Sequence, residues 1–77
     1  MRINILSFGS LSEVVAGGPV DNIDLKDSNA FKKYLLSTYP ELSDKKFLIA
    51  INKNIIQQNT ILSEFDTVAI LPPFSGG

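Results

Sequence analysis

The last dense apolar segment of the chain reads Thr67-Val68-Ala69-Ile70-Leu71, and the first reads Arg2-Ile3-Asn4-Ile5-Leu6-Ser7-Phe8. Successive side chains of a strand point to opposite faces, so both segments place apolar residues on both of their faces. That pattern is typical of a central strand that is buried on at least part of each side. In the α+β layout that the order of elements predicts below, the two segments lie side by side, in parallel, at the centre of the sheet, and their similar character supports that pairing.

One α-helix is predicted from Ser28 to Tyr39. Asp27 or Ser28 can cap the free N–H groups of its first turn. Apolar side chains recur at helical spacing from Phe31 onward. Pro40 lacks an N–H group and disfavours helix in the residue before it, so the helix is expected to end there.

Shorter elements connect these segments. They are a helical turn at 11–15, an exposed edge strand around Val20, Ile23 and Leu25, a strand at 47–51, a turn at 52–54 into Ile55-Ile56, and a helical or 3₁₀ turn between Leu62 and Phe65. The order predicts an α+β fold in which a mixed sheet of about five strands folds around one main helix. A chain of 77 residues predicts a single domain over residues 1–77, because a second core would bury too little surface.

Cysteine and histidine are absent from the sequence, which excludes several classes of site. Without them there is no ordinary structural zinc site and no Ser-His-Asp or Cys-His catalytic arrangement. Asp21, Asp24 and Asp27 do not have the spacing of a calcium loop, so the sequence predicts no metal site. Seven Lys and Arg residues are dispersed against eight Asp and Glu residues, so no nucleic-acid partner is expected. These absences predict a protein without an independent active site.

The first apolar segment is interrupted by Asn4 and Ser7 and is far shorter than the roughly 20 residues of a membrane-spanning helix. We therefore expect neither a secretory leader nor a membrane partner, and a cytoplasmic location. The aromatic residues Phe8, Phe47 and Phe65 are expected to lie in the core.

The closing segment Pro72-Pro73-Phe74-Ser75-Gly76-Gly77 has no obvious role in that core. Two consecutive prolines favour extended geometry, so the segment is expected to project away from the sheet. Phe74 then places an apolar ring where only a partner would cover it. Gly76 and Gly77 carry no side chains, so they would fit a narrow tunnel that leads to a reactive centre. The alternative is an unpacked chain end with no chemistry.

A family resemblance rests mainly on this ending. The run from Asp66 to Gly77 resembles the closing "DEVAFLPPVSGG" pattern of the small subunit of molybdopterin synthase, a ubiquitin-like sulfur carrier. The run from Ile5 to Val15 resembles the opening strand and helical turn of that family, and Ile49-Ala50-Ile51-Asn52 resembles its "AVN" strand. The resemblance covers the whole chain and implies a ubiquitin-like β-grasp fold with an extended C-terminal tail.

The resemblance also implies a function. An adenylating MoeB-like enzyme would use ATP to activate the carboxylate of Gly77, and sulfur would then displace AMP to leave a thiocarboxylate. The tail residues Pro72, Pro73, Phe74, Ser75 and Gly76 would bind the large catalytic subunit of molybdopterin synthase, in a complex of two small and two large subunits. There the thiocarboxylate would donate sulfur to a pterin precursor and form its dithiolene. The carrier itself would bind no permanent cofactor.

Two positions depart from the family pattern. Glu64-Phe65-Asp66 stands where family members often have Asp-Gly-Asp, which removes a glycine from that turn, and Ser12 stands where Arg is frequent. Three alternative functions remain open at this point: a sulfur carrier for the thiazole of thiamine, a ubiquitin-like modifier joined to lysines through Gly77, and a binding module with an inert tail.

Overall fold

The computed structural model describes residues 1–73. Within that range the chain forms five strands, one α-helix and two 3₁₀ helices. In chain order they are β1 (Ile3–Ser7), a first 3₁₀ helix (Gly9–Glu13), β2 (Gly18–Val20), α1 (Ser28–Thr38), a second 3₁₀ helix (Pro40–Asp44), β3 (Leu48–Ile51), β4 (Asn54–Ile55) and β5 (Thr67–Leu71). This content confirms the predicted α+β class.

The strands form one mixed sheet in the order β2-β1-β5-β3-β4. Strand β5 pairs in parallel with β1, with Ile5 opposite Val68. On its other side β5 pairs antiparallel with β3, with Ala50 opposite Ala69. The prediction of a parallel pair at the centre of the sheet, formed by the first and last strands, is confirmed.

The inner face of the sheet supplies much of the core. Ile3, Ile5, Val68 and Ile70 alternate along the two central strands, and each is at most 2% exposed. They belong to one buried cluster with Phe31 and Leu35 of α1, whose side chains are fully covered. Burying an aliphatic or aromatic side chain contributes about 1.5–3 kcal/mol, so this face holds the helix on the sheet.

Local hydrogen bonds set the ends of α1. The Asp27 carboxylate accepts from the Ala30 N–H at 2.9 Å and is the N-cap of the helix. It also accepts from the Asn59 side-chain amide at 3.1 Å. The backbone bond from Ala30 first, and then the bond from Asn59, lower the pKa of the Asp27 carboxyl from its ordinary value. The helix ends at Thr38, one residue before the predicted end, because Tyr39 leaves helical geometry ahead of Pro40.

The turns that precede β4 and β5 depend on backbone in the left-handed region. Asn52 and Lys53 have φ values of 49° and 75°, so they form the tight turn predicted between β3 and β4. Phe65 has a φ of 67°, which is incompatible with the right-handed helical or 3₁₀ turn predicted there. That prediction is wrong: a β-turn precedes β5, closed by the Asp66 N–H, which donates to the Ser63 carbonyl at 3.2 Å, and the Phe65 N–H donates to the Arg2 carbonyl at 2.7 Å.

The edge strand is shorter than predicted and lies earlier in the chain. Strand β2 ends at Val20, and Asn22 turns the chain away from the sheet with a φ of 58°. Ile23 is therefore buried outside any strand, where its N–H and carbonyl both bond to Met1. The helical turn predicted at 11–15 is a 3₁₀ helix that begins two residues earlier.

Two of the three phenylalanines predicted for the core lie at the surface. Phe8 is 46% exposed and Phe65 is 72% exposed, whereas Phe47 is half-buried against the core cluster. Phe8 follows β1 on the side of the sheet opposite the helix, and Leu6 on that side is 39% exposed. The inner face of β1 is therefore buried as expected, whereas its outer face is only partly covered.

Candidate functional site

The candidate site begins at the carboxyl ends of the two central strands, β1 and β5. The two strands are parallel, so their carboxyl ends lie together, with Ser7 opposite Ile70. One further backbone bond, from the Phe8 N–H to the Ile70 carbonyl at 3.2 Å, continues the ladder past Ser7. Leu71 is the last residue of β5, and Pro72 therefore follows directly beside the turn that leaves β1.

Gly9 forms that turn and contacts Pro72. Its φ of 60° lies in the left-handed region, where a side chain is strained. A Cβ placed on Gly9 would lie 3.1 Å from Cγ of Pro72 and 3.6 Å from its Cδ. The Ser12 hydroxyl donates to the Gly9 carbonyl at 2.7 Å, which holds the peptide in this orientation.

The structure describes two of the six predicted site residues. Pro72 is half-buried and Pro73 is exposed. Phe74, Ser75, Gly76 and Gly77 lie outside the described residues, so the predicted roles of this segment remain predictions.

A shallow apolar groove runs across the outer face of the sheet, next to the start of the tail. Its volume is about 420 Å³. We call it the outer groove, and its apolar lining consists of Leu6, Phe8, Ala50, Ile55, Ala69 and Leu71. Ala50 and Ala69 are paired across β3 and β5, and their small side chains leave the space between Phe8 on one side and Ile55 on the other. Exposed apolar surface of this kind typically marks a site for another molecule.

The outer groove carries little charge. Lys53 is the charged residue among its described lining, and it stands at the β3–β4 turn. Within residues 1–73, no three acidic side chains come together as a metal site would require. None of the helices in that part of the chain has the length and apolar character needed to cross a bilayer.

Sequence reasoning missed the outer groove because the strands are apolar on both faces. Hydrophobicity alone does not distinguish a face covered by the chain itself from one left for a partner. The alternation of large residues, such as Ile51 and Val68, with small ones, Ala50 and Ala69, was the available signal, since it places both alanines on the outer face.

The comparisons with known proteins agree with the fold. A model of the ThiS family matches residues 8–77. The chain belongs to the ThiS family. The match extends through the closing segment, including the residues that the structure does not describe.

Family membership is accompanied by likeness to individual proteins. The chain is 28% identical over 82 aligned positions to the molybdopterin synthase sulfur carrier subunit of Mycobacterium tuberculosis, covering 100% of this chain and 99% of that protein. A solved complex of subunits 1 and 2 of the molybdopterin-converting factor from Helicobacter pylori 26695 contains a similar chain, with a TM-score of 0.73, 25% identity and full coverage of both chains. The resemblance to the small subunit of molybdopterin synthase is confirmed.

The expected ubiquitin-like β-grasp fold is also confirmed. SAMP1 from Haloferax volcanii superposes with a TM-score of 0.76 over the full length of both chains, at 19% identity. At that level of identity the match concerns the fold alone.

Proposed function

We propose that this chain is the sulfur carrier of a molybdopterin synthase and that the carboxylate of Gly77 carries the sulfur. The observation that carries the proposal is the run from the central strand into the closing segment: Leu71 lines the outer groove, and the next residue, Pro72, begins the tail. A partner that covers the groove therefore lies beside the point from which the tail departs. The likeness to a sulfur carrier subunit and to a chain from a two-subunit complex supports this proposal.

The carboxylate needs activation, because an ionised carboxylate is resonance-stabilised and poorly electrophilic at neutral pH. In the first step a carboxylate oxygen attacks the α-phosphorus of ATP, pyrophosphate leaves, and an acyl adenylate forms. In the second step hydrosulfide attacks the acyl carbon, the bond to AMP breaks, and the thiocarboxylate remains. An adenylating MoeB-like enzyme would supply the catalytic groups. The requirement for ATP favours the cytoplasm as the location.

Sulfur transfer would take place in the large subunit. The thiocarboxylate sulfur attacks an electrophilic carbon of the pterin precursor, and an oxygen substituent leaves that carbon. Water then hydrolyses the acyl carbon–sulfur bond of the resulting thioester, which leaves the sulfur on the pterin and returns the carboxylate at Gly77. A dithiolene needs two sulfur atoms, so two charged carriers are used for each pterin. The proposed assembly contains two carriers and two large subunits, and the carrier holds no permanent cofactor.

The outer groove is the proposed contact surface for the large subunit. Its lining is apolar, and Phe8 is 46% exposed and Ile55 51% exposed at its two sides. An apolar side chain of the partner, placed over Ala50 and Ala69, would contact and bury both Phe8 and Ile55. Such central apolar contacts dominate the affinity of most interfaces.

The acceptor distinguishes the closest alternative. A carrier for the thiazole of thiamine would undergo the same charging at Gly77 and differ only in where the sulfur goes. The names of the Mycobacterium tuberculosis protein and of the Helicobacter pylori complex both refer to molybdopterin, which favours the pterin acceptor. A ubiquitin-like modifier would instead form an amide bond from Gly77 to lysine side chains of other proteins.

The charging test is an intact-mass measurement. The full chain is incubated with ATP, sulfide and its cognate activating enzyme, beside a variant that lacks Gly77. The expected result is a mass gain equal to the replacement of one oxygen by sulfur, in the full chain only. If the cognate enzyme is shown to be active on another carrier and still leaves this chain unchanged, the proposal is refuted. Attachment of the chain to lysines in the same reaction would favour the modifier.

The groove is tested with a size-matched pair of substitutions. Ala69→Leu adds three carbon atoms inside the outer groove, and Ser37→Leu adds apolar bulk on an exposed position of α1. We expect Ala69→Leu to weaken binding of the large subunit by about tenfold or more, equivalent to about 1.4 kcal/mol, and Ser37→Leu to leave it unchanged. Calorimetry with the purified large subunit measures both, and equal affinities for the two variants would exclude the groove as the interface.

A further inference from the structure

We propose that Gly9 is a positioning residue that sets the direction in which the tail leaves the sheet. The inference rests on the proposed function, since direction matters only if Gly77 has to reach a reactive centre. It concerns the contact between the turn after β1 and the first residue after β5. The family resemblance places Pro72 in the partner-binding tail, and the role proposed here for its contact with Gly9 is separate from that.

The contact is close because Gly9 has no side chain. A Cβ on this residue would lie 3.1 Å from Pro72 Cγ, closer than ordinary van der Waals contact, so one of the two residues would have to shift by a few tenths of an ångström. Cγ and Cδ of Pro72 belong to the pyrrolidine ring and are tied to the backbone at both ends. Rotation of a side chain therefore does not relieve the contact.

The turn itself is held in place. The Ser12 hydroxyl donates to the Gly9 carbonyl at 2.7 Å, and the Leu11 N–H donates to the Phe8 carbonyl at 3.2 Å. The Leu11 side chain is 1% exposed and anchors the 3₁₀ helix in the core. When bulk is added at Gly9, the residue that moves is therefore Pro72, which is only half-buried.

A small shift at Pro72 becomes a larger one along the tail. Consecutive Cα atoms are about 3.8 Å apart, so a displacement of about 0.3 Å at Pro72 corresponds to a rotation of about 5° about Leu71. At full extension five residues span about 17 Å, so the same rotation moves their far end by at most about 1.5 Å. Pro72 and Pro73 both have a fixed φ, which passes the rotation on to the next residue. Misplacement of a reacting group by about 1 Å can cost up to about a hundredfold in rate.

The test compares Gly9→Ala with Gly18→Ala in the full chain. Gly18 also has a positive φ, 124°, but a Cβ there meets no atom within 4 Å. Gly18→Ala therefore introduces backbone strain without touching the tail. Steady-state kinetics of thiocarboxylate formation with the cognate activating enzyme are measured for both variants at a temperature where both are folded.

We expect Gly9→Ala to lower kcat about tenfold or more and to leave KM within about twofold, because the substitution changes the position of Gly77 in the bound complex rather than the number of contacts that form it. Gly18→Ala leaves both within about twofold. Adding Pro72→Ala to Gly9→Ala removes Cγ and Cδ and restores part of the lost kcat. Should Gly9→Ala fail to fold, Ser12→Ala releases the Gly9 carbonyl without adding strain and lowers kcat in the same direction.

Two results would overturn the inference: a kcat within about twofold of wild type for Gly9→Ala, or an equal loss in Gly18→Ala.

A second measurement is independent of charging. Nuclear Overhauser contacts between the Gly9 α-protons and the Pro72 ring are expected in the wild type and in Gly18→Ala. In Gly9→Ala we expect the pattern of Overhauser contacts made by the Pro72 ring to change. If these contacts behave as expected but the wild type cannot be charged, the proposed function fails and the positioning contact stands. Pro72 contacts that stay unchanged in Gly9→Ala refute the contact itself.

Discussion

Replacing Phe65 tests the turn that precedes the central strand. Its φ of 67° places it in the left-handed region, and its side chain is 72% exposed. Its N–H donates to the Arg2 carbonyl at 2.7 Å, so the backbone cannot leave this conformation without losing that bond. We expect Phe65→Gly to be more stable than Phe65→Ala. Both variants lose the ring, so their difference isolates the backbone conformation.

The magnitude follows from two opposing terms. A residue with a side chain pays roughly 1–2 kcal/mol in the left-handed region. Glycine pays roughly 0.5–1 kcal/mol more than alanine in lost backbone freedom on folding. The net free energy of unfolding therefore favours Phe65→Gly by about 0.5–1 kcal/mol. For a domain of this size that difference raises the melting temperature by about 2–8 °C.

Urea and thermal unfolding, followed by circular dichroism, measure the difference. The control pair is Lys33→Gly and Lys33→Ala, at an exposed position in the middle of α1. There the sign reverses, and the glycine variant is less stable by about 0.5–1 kcal/mol. If Phe65→Gly is no more stable than Phe65→Ala while the control pair behaves normally, Phe65 does not occupy left-handed backbone and the description of this turn is wrong.

Three further substitutions test other parts of the fold. Lys53→Gly should raise the free energy of unfolding by about 0.5–1 kcal/mol in urea titrations, because the φ of 75° at this turn is strained for lysine; a loss of stability would contradict the turn geometry. The hydrogen bonds to Asp27 lower its pKa in the folded state, so their contribution is complete above the ordinary carboxyl pKa and is lost as pH falls through the lowered one. Melting temperatures of wild type should therefore fall more steeply than those of Asp27→Asn below about pH 5, and parallel curves would contradict this reasoning. Phe31→Ala should cost about 3–5 kcal/mol in the same urea titrations, because the side chain is fully buried against the sheet, and a cost below about 1 kcal/mol would contradict its place in the core.

Much of the architecture followed from local chemistry. Asp27 and Pro40 bound α1 because one satisfies free N–H groups and the other cannot continue a helix. Dense apolar segments at both ends of the chain predicted two central strands, because such strands need cover on their faces, and the order of elements predicted their parallel pairing. The turn before β5 was missed because it depends on a left-handed phenylalanine, a conformation that this residue type seldom adopts.

The closing motif predicts Gly77 as the reacting end, and this stays a prediction because the structure describes residues 1–73. The geometry of the outer groove and of the start of the tail did not follow from the sequence. The exposure of Leu6 and Phe8 was not predictable, because a face kept for a partner has the same composition as a buried one. The contact between Gly9 and Pro72 requires the register of β1 against β5, which no local pattern specifies.

Pairing of β1 with β5 has a consequence for how the chain acquires its structure. Ile5 meets Val68, so the middle of the sheet closes a loop that spans almost the whole sequence. Such pairings form late and slowly, because loop-closure entropy is lost before the contact is gained. Until Thr67–Leu71 has emerged from the ribosome, β1 and β3 lack their common neighbour, and a nascent or truncated chain exposes two apolar strand edges. Incomplete copies of this protein are thus expected to aggregate or to be degraded, so that the copies that persist in the cell are those that have reached the strand leading into the tail.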